Sequence, residues 1–441
     1  MTSPPRSAPT ASRLFGRSRG AGAGPSGDDT AATGAGAGTA TGTGSSARIS
    51  LGRLFRAETA NYFLLLGTTL FLVALGLVMV LSSSSVDSYL DDDGFFGGFW
   101  RQALYAGIGV PLMLVISRFP PTFWKRWALP LLAFGAILQL LVLVTPLGYE
   151  IGGNKNWLRI GAFTAQPSEA LKVALIVWLG VFLARRIGAP NQTKQILMPI
   201  AIVGGGSIAL VLAGGDLGTV IIMAGIVVGA LFFAGVRLRI LALPIVLGAI
   251  AAAVVAISSP NRLQRIEAFF SEDCTDYANS CWQIQHGYYA MANGGIFGVG
   301  LGNSKAKWSW LPAADNDFIF AIIGEELGLL GAIVVLALFI LLAVSFVRIM
   351  HAQTEVFPRV VTGGILVWII GQACVNIGVV LGVIPVLGVP LPLISSGGTA
   401  LITSLVAIGI VLSFARQPAR LPGEVADAAT ARPRRKRQPT R

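Results

Sequence analysis

A chain of 441 residues with 54% hydrophobic and only 12% charged side chains, and a mean hydropathy of +0.71, reads as a polytopic membrane protein rather than a soluble domain. Its net charge of +12 lies mostly in the tails and short connecting loops. No basic stripe marks a folded surface, which argues against nucleic acid as a partner. Three cysteines without a CxxC or a Cys/His cluster argue against a structural zinc site.

The first tract, residues 1–56, is rich in Gly, Ala, Thr and Ser with scattered Arg. It carries no apolar run, which argues against a signal peptide and predicts a disordered cytoplasmic tail. From Asn61 the chain reads as ten apolar spans, at 61–82, 99–117, 127–145, 168–184, 196–213, 218–235, 240–257, 316–346, 359–383 and 397–415. Each approaches the ~20 residues that a helix needs to cross ~30 Å of hydrocarbon. The expected fold is therefore all-α, a ten-helix membrane domain over 57–416. The eighth span is longer and is expected to project or tilt. Residues 417–441 form a second disordered tail, whose Arg434-Arg435-Lys436-Arg437 run suits anionic lipid or a protein partner.

Orientation follows from the cations. One alternate set of gaps holds Arg118, Lys125, Arg126, Arg185, Arg186, Lys194, Arg237, Arg239, Arg348 and Arg359, and with the tails it contains most of the 33 basic residues. The other set includes the acidic loop at 87–93. Cationic loops stay in the cytoplasm, so both termini are expected inside and the even-numbered helices start on the outer face.

Two outer loops are long. The first, 146–167, holds Lys155, Asn156, Trp157 and Arg159; the second, 258–315, is the longest connection. Within the second, Leu263, Ile266 and Phe270 share one helical face, the pattern of a helix lying on a membrane surface. Trp157, Trp282, Trp308 and Trp310 suit an interfacial belt. Cys274 and Cys281 share the large loop on the oxidising side and are expected to form a stiffening disulfide.

Polar residues gather where alternate spans begin: Gln166-Pro167-Ser168-Glu169, Gly214-Gly215-Asp216-Leu217-Gly218, Asp315-Asn316-Asp317-Phe318 and Ser395-Ser396-Gly397-Gly398. Four helix N-termini on one outer face favour a substrate with an anionic head and a lipid tail. Pro167 and Glu169 are ordinary helix-start residues, but Lys172 opposes the helix dipole and is costly to bury near the bilayer. It can pair with Glu169 at i,i+3, or it can receive phosphate charge together with Lys155 and Arg159.

Asp216 reads as an N-cap. Asp315 or Asn316 can cap the eighth span, which leaves Asp317 without that task. Glu325 lies about 12 Å deeper than Asp317, and Glu326 faces the far side of the helix, so neither forms a carboxylate pair with it. The Glu pair is expected to hold the bundle through hydrogen bonds. The Ser395-Ser396-Gly397 turn either cradles an anion with its N–H groups or is an ordinary broken helix end.

These segments resemble the SEDS family of cell-wall polymerases, to which FtsW, RodA and SpoVE belong. The likeness runs from Asn61 to Arg416 and rests on QPSEALK at 166–172, DLGT at 216–219, GGIFGVGLGNS at 294–304, DFIFAIIGEELGLLGA at 317–332 and NIGVVLGVIPVLGVPLPLISSGG at 376–398. The IIGEELG and QPSE wording and the long polar tails are more similar to FtsW than to RodA. The resemblance implies a glycosyltransferase that polymerises lipid II in the bacterial plasma membrane, at the division septum. In that reaction an acceptor 4-hydroxyl attacks the donor's anomeric carbon and undecaprenyl pyrophosphate leaves. The alternatives are a RodA-like polymerase of elongation and a lipid II flippase; motifs gathered at one face favour a polymerase.

The family's essential Asp falls on Asp317, as general base or as ligand of a divalent cation, Mg or Mn. Lys172 falls on a pyrophosphate contact, with Lys155 and Arg159 beside it. Gln166, Ser168, Glu169, Gln283, Ser395, Ser396 and Gly397 complete the implied substrate site. Implied partners are an undecaprenyl-linked glycan, an FtsI-like class B penicillin-binding protein with transpeptidase activity, and other divisome proteins. The chain departs from the family pattern at four places, one being His286 where a Gln is frequent. Asn156 stands where a basic residue precedes the loop Trp, Gly214-Gly215 replaces Gln-Pro before DLGT, and Ala313 and Asp315 replace Glu and His.

Overall fold

Proline sets two of the helix starts, because a residue at the first helical position needs no N–H partner: Pro121 opens α3 and Pro167 opens α4. The computed structural model describes residues 59–90, 94–151, 154–161, 163–186, 192–257, 260–270, 280–308 and 310–416. All of them belong to the compact unit Ala57–Arg441. In chain order the first half contains α1 (Ala60–Leu90), α2 (Gly97–Ile116), α3 (Pro121–Val144), β1 (Gly148–Ile151), β2 (Asn154–Ile160), β3 (Phe163–Ala165), α4 (Pro167–Arg186) and α5 (Gln192–Ala213). The second half contains α6 (Leu217–Phe233), α7 (Leu238–Ile257), α8 (Pro260–Phe270), α9 (Ser280–Gly294), α10 (Ile319–His351), α11 (Val356–Val380) and α12 (Gly398–Ala415).

The ten expected spans each coincide with one helix, α1 to α7 and α10 to α12. Among the described residues eight helices are long and apolar enough to cross a membrane; α6 is a shorter apolar helix. Such helices satisfy every backbone group internally, as hydrocarbon demands. α4 is the central post, with 78% of its apolar window buried against 28% for α3, and it packs on α3, α6 and α11. The all-α expectation holds for the bundle, and the first outer loop adds a small antiparallel sheet in the order β1-β2-β3.

The first and last described residues meet at one end of the bundle. Thr59 Oγ1 donates to Ala415 O at 3.0 Å, and the Arg416 guanidinium lies over the Tyr62 ring at 5.0 Å. Lys125 pairs with Glu355 at 2.8 Å on the same end, which ties the start of α3 to the α10–α11 turn. This is the arrangement expected if both termini share the cytoplasmic side.

The eighth span corrects an expectation. α10 is broken rather than simply tilted: Gly328 has φ 68° and ψ −167°. The 295–300 segment straps the break, with Val299 N donating to Glu325 O at 2.9 Å, Gly300 N to Glu326 O at 3.0 Å and Leu329 N to Gly295 O at 2.9 Å. Backbone groups orphaned by the break thus find partners. The Glu pair locks the same joint as expected. Glu325 accepts from Asn293 Nδ2 at 2.9 Å and Lys305 N at 3.1 Å; Glu326 accepts from Ser82 Oγ at 2.6 Å and faces Lys307 Nζ at 3.6 Å.

The second outer loop carries α8, a helix where one was expected, and α9. The expected tails at 1–56 and 417–441, Cys274, and the side chain of Cys281 lie outside the described residues, and with them the expected disulfide.

Candidate active site

All four polar motifs bring residues to one cavity of about 520 Å³ at the ends where α4, α6, α10 and α12 begin. Gln166, Glu169 and Lys172 enter from α4, Asp216 and Gly218 from α6, Asn316 and Asp317 from the approach to α10, and Ser396 and Gly397 from the approach to α12. The 385–390 segment supplies apolar wall, and α8 contributes Arg262 and Arg265 from the side.

Asp317 faces this cavity from the loop just before α10. Its backbone is fixed, since Asn376 Nδ2 donates to Asp317 O at 2.8 Å. Among the described residues none donates a hydrogen bond to its carboxylate. Burial pushes the Asp317 pKa up from 3.8 to about 6; Arg265 pulls it down, and the charges of Asp315 and Asp216 push it up further. Gly388 lies between acid and cation: a Cβ there would come 3.7 Å from Asp317 Oδ2 and 3.9 Å from Arg265 Nη1.

Neighbouring carboxylates already have work. Asp216 caps α6 as expected, accepting from Thr219 N at 2.8 Å, and it also accepts from Gln166 Nε2 at 3.0 Å. Neither Asp315 nor Asn316 caps α10; the cap position is Phe318, without a side-chain bond. Asp315 instead receives Ser396, whose backbone N donates to Asp315 O at 2.9 Å and whose hydroxyl reaches the carboxylate. Burial raises the Asp315 pKa, an effect that Ser396 and Arg101 oppose.

Lys172 takes the structural option. Its ammonium pairs with Glu169 at 2.8 Å, donates to Gln372 Oε1 at 3.3 Å and lies 4.6 Å from the centre of the Trp368 ring. It lines the cavity as part of a neutral, buried pair. Several other expected residues lie elsewhere. Lys155 Nζ donates to Leu143 O and Thr145 O, and exposed Arg159 stacks over Tyr149. Ser168 is wholly buried in α4, Gln283 Nε2 donates to Pro312 O, and Ser395 Oγ donates to Asn316 O at 2.7 Å. None of these five lines the cavity.

The cations that the sequence reading missed are Arg262 and Arg265. They stand one turn apart on the polar face of α8 and read there as solvated charges on an amphipathic helix. In the structure that face turns into the cavity, and Arg262 donates to Gly215 O.

Two departures from the family pattern touch each other. Oriented by its surroundings, the Asn156 amide donates to Gly214 O at 2.9 Å and Lys155 O at 3.1 Å. A Cβ on Gly214 would lie 2.8 Å from Lys155 O, and Gly215 has φ 87°. The turn between α5 and α6 therefore closes on β2 through a glycine pair and an asparagine together.

Among the described residues no three His, Cys, Asp or Glu side chains converge as a metal cage. With Asp216 and Glu169 engaged, a divalent cation would find only Asp317 as an acidic ligand from the protein. Water and substrate phosphates would have to complete the shell of such an ion, and no step below is derived through one.

The family described as cell cycle protein, covering FtsW, RodA and SpoVE, matches residues 62–419. A probable peptidoglycan glycosyltransferase FtsW from Mycobacterium tuberculosis is 37% identical over 369 residues, which cover 84% of this chain and 70% of the relative. Stage V sporulation protein E of Bacillus subtilis is 36% identical over 361 residues, 81% of this chain and 98% of that one. Among solved structures, a chain from a peptidoglycan synthase complex described as coordinating polymerization and crosslinking aligns with a TM-score of 0.67 and 25% identity, over 82% of this chain and 98% of that chain. The rod shape determining protein RodA of Thermus thermophilus aligns with a TM-score of 0.61 and 26% identity over the same shares.

Proposed function

The chain belongs to the SEDS family of FtsW, RodA and SpoVE, and from that premise we propose that it is a peptidoglycan glycosyltransferase that polymerises lipid II during septal wall synthesis. The observation that carries the mechanism is the meeting of Asp317 and Arg265 across Gly388 in a cavity built from four helix starts.

In this reading Asp317 is the general base. A carboxylate with a pKa of about 6 is ionised at neutral pH and is basic enough to take a hydroxyl proton. As the acceptor 4-hydroxyl attacks the donor's anomeric carbon, its proton passes to the Asp317 carboxylate. The anomeric C–O bond breaks, and its electron pair leaves on undecaprenyl pyrophosphate. Arg265 and Arg262 receive that charge, assisted by the N-terminal dipoles of α4, α6 and α12. Lys172, already balanced by Glu169, positions the wall of the site rather than neutralising the leaving group. The Leu217, Ile266 and 385–390 lining offers an apolar side to the lipid.

An FtsI-like class B penicillin-binding protein is the proposed partner, in keeping with the polymerization and crosslinking described for the similar complex. A flippase would need polar lining along the whole bundle, whereas this cavity is lined from one end of the helices. The deciding experiment is polymerisation of purified lipid II by wild type and Asp317→Asn in the presence of the transpeptidase. Strands from wild type and none from the variant are expected; equal product from both would end the assignment.

A further inference from the structure

Outside the cavity, α9 and the segment leading to Asp317 bring four aromatic rings together. Trp282 and His286, one turn apart on α9, stack with ring centres 4.0 Å apart. Trp310 lies 5.8 Å from each, and the three planes differ pairwise by only 14° to 26°. Tyr289 meets His286 at 5.7 Å, nearly edge-on. Trp310 and Tyr289 are 53% and 63% exposed, so the group presents ring surface outward.

Three polar groups at this site bond to the protein's own main chain. Trp282 Nε1 donates to Trp310 O at 2.7 Å, His286 Nδ1–H donates to Trp282 O at 2.9 Å, and Gln283 Nε2 donates to Pro312 O at 3.1 Å. A tryptophan of an interfacial belt keeps its N–H among water and headgroups. Trp282 uses its N–H to pin two segments of protein together. The belt expected from sequence therefore does not account for it.

We propose that these rings form a glycan-binding platform, a subsite for a neutral, β-linked amino-sugar strand that enters or leaves the Asp317 cavity. The proposal rests on the glycosyltransferase reading above. Near-parallel rings offer negative π-faces, which attract the polarised axial C–H bonds of a pyranose and match its flat side. Place supports the same occupant. Trp310 lies seven residues before Asp317 on one segment. Gly287, next to His286, packs so closely on Phe318, next to Asp317, that an added Cβ would lie 3.0 Å from the ring. The Gly287–Phe318 contact thus links the helix that carries His286 to the segment that carries Asp317.

Titration calorimetry of the full chain in detergent with chitohexaose, a soluble β-linked amino-sugar hexamer, tests the platform directly. Wild type is expected to bind, with affinity about tenfold weaker in Trp310→Ala and retained in Trp310→Phe and in Asp317→Asn. Compared at equal lipid II consumption, Trp310→Ala is expected to make shorter strands than wild type. No binding by wild type, or equal binding and equal strand length in Trp310→Ala, would overturn the proposal. So would a Trp310→Ala variant that loses only capture of the transpeptidase, since the rings would then be a protein interface. The two readings fail separately: polymerisation by Asp317→Asn would sink the assigned base while leaving chitohexaose binding to judge the platform.

Discussion

Asn376 grips the main chain of Asp317, its Nδ2 donating to Asp317 O and to Val389 O, each at 2.8 Å. One amide in α11 thereby joins the segment that carries the acid to the 381–397 segment that walls the cavity. Asn376→Ala leaves two carbonyls without this donor, at a cost of about 1–3 kcal/mol. The variant is expected to melt lower and to lose kcat by more than about tenfold, because small misplacements of a base are costly. Its KM for lipid II is expected to change little. Steady-state polymerisation beside a thermal melt in detergent checks both parts.

Asp317 also sets a pH signature. Activity needs the carboxylate, so kcat/KM is expected to fall about tenfold per unit as pH drops below about 6. Arg265 is the neighbour that lowers this pKa, and Arg265→Ala is expected to move the acid limb to higher pH as well as weaken the rate. A pH–rate profile of both proteins, on one lipid II preparation, reads the shift.

The same group carries a stability cost at neutral pH. Its folded pKa of about 6 lies above the ordinary 3.8, so the protonated form favours the folded state. That contribution is complete below 3.8 and is lost as pH rises through 6. Asp317→Asn removes the loss, and the variant is expected to outmelt wild type by a margin that widens from about pH 4 to about pH 7. Melts at several pH values measure the margin; a constant gap would contradict it.

Much of this arrangement was legible in the chain. Ten apolar runs of bilayer length gave ten helices, and alternate cationic gaps placed the four polar motifs at one end, where they meet. Asp216 could be read as a cap because its place before an apolar run is sufficient. Lys155 and Arg159 were expected at the site from a loop, but a strand formed there and neither lines the cavity. Asn154, Asn156 and Trp157 of β2 line the cavity, whereas the Lys155 ammonium is drawn to the Leu143 and Thr145 carbonyls and Arg159 lies over the Tyr149 ring. Arg262 and Arg265 were hidden for the opposite reason, since a polar helix face looks the same whether it meets water or a cavity. The break in α10 left little signal, because a glycine within a long apolar run is also common in unbroken membrane helices.

The contact between Asn156 and Gly214 makes a coupled pair. A Cβ on Gly214 would lie 2.1 Å from the Asn156 amide and 2.8 Å from Lys155 O. Gly214→Ala is expected to destabilise the chain by about 1–3 kcal/mol. Shortening Asn156 relieves the closer clash only, so Gly214→Ala with Asn156→Gly should be less damaging than the two single costs summed, by more than about 0.5 kcal/mol. A double-mutant cycle on melting free energies gives that coupling, and strict additivity would disprove the contact.

Gly328 is the position where backbone conformation leaves no alternative residue. Its φ of 68° and ψ of −167° belong to a region essentially restricted to glycine. An added Cβ would also meet Gly298 N at 2.3 Å and Ile296 O at 2.5 Å, both main-chain atoms that cannot swing aside. Strain and clash together are expected to cost Gly328→Ala more than about 3 kcal/mol, enough to deplete folded protein. Gly371 offers the comparison, since it lies within α11 with nothing inside 4 Å of an added Cβ. Gly371→Ala is expected to be neutral or stabilising, as alanine is the better helix former by about 1 kcal/mol. Size-exclusion profiles of fluorescent fusions should show loss of the monodisperse peak for Gly328→Ala alone. Such a result would tie the strap over the broken helix to the placement of Asp317, one short helical segment away.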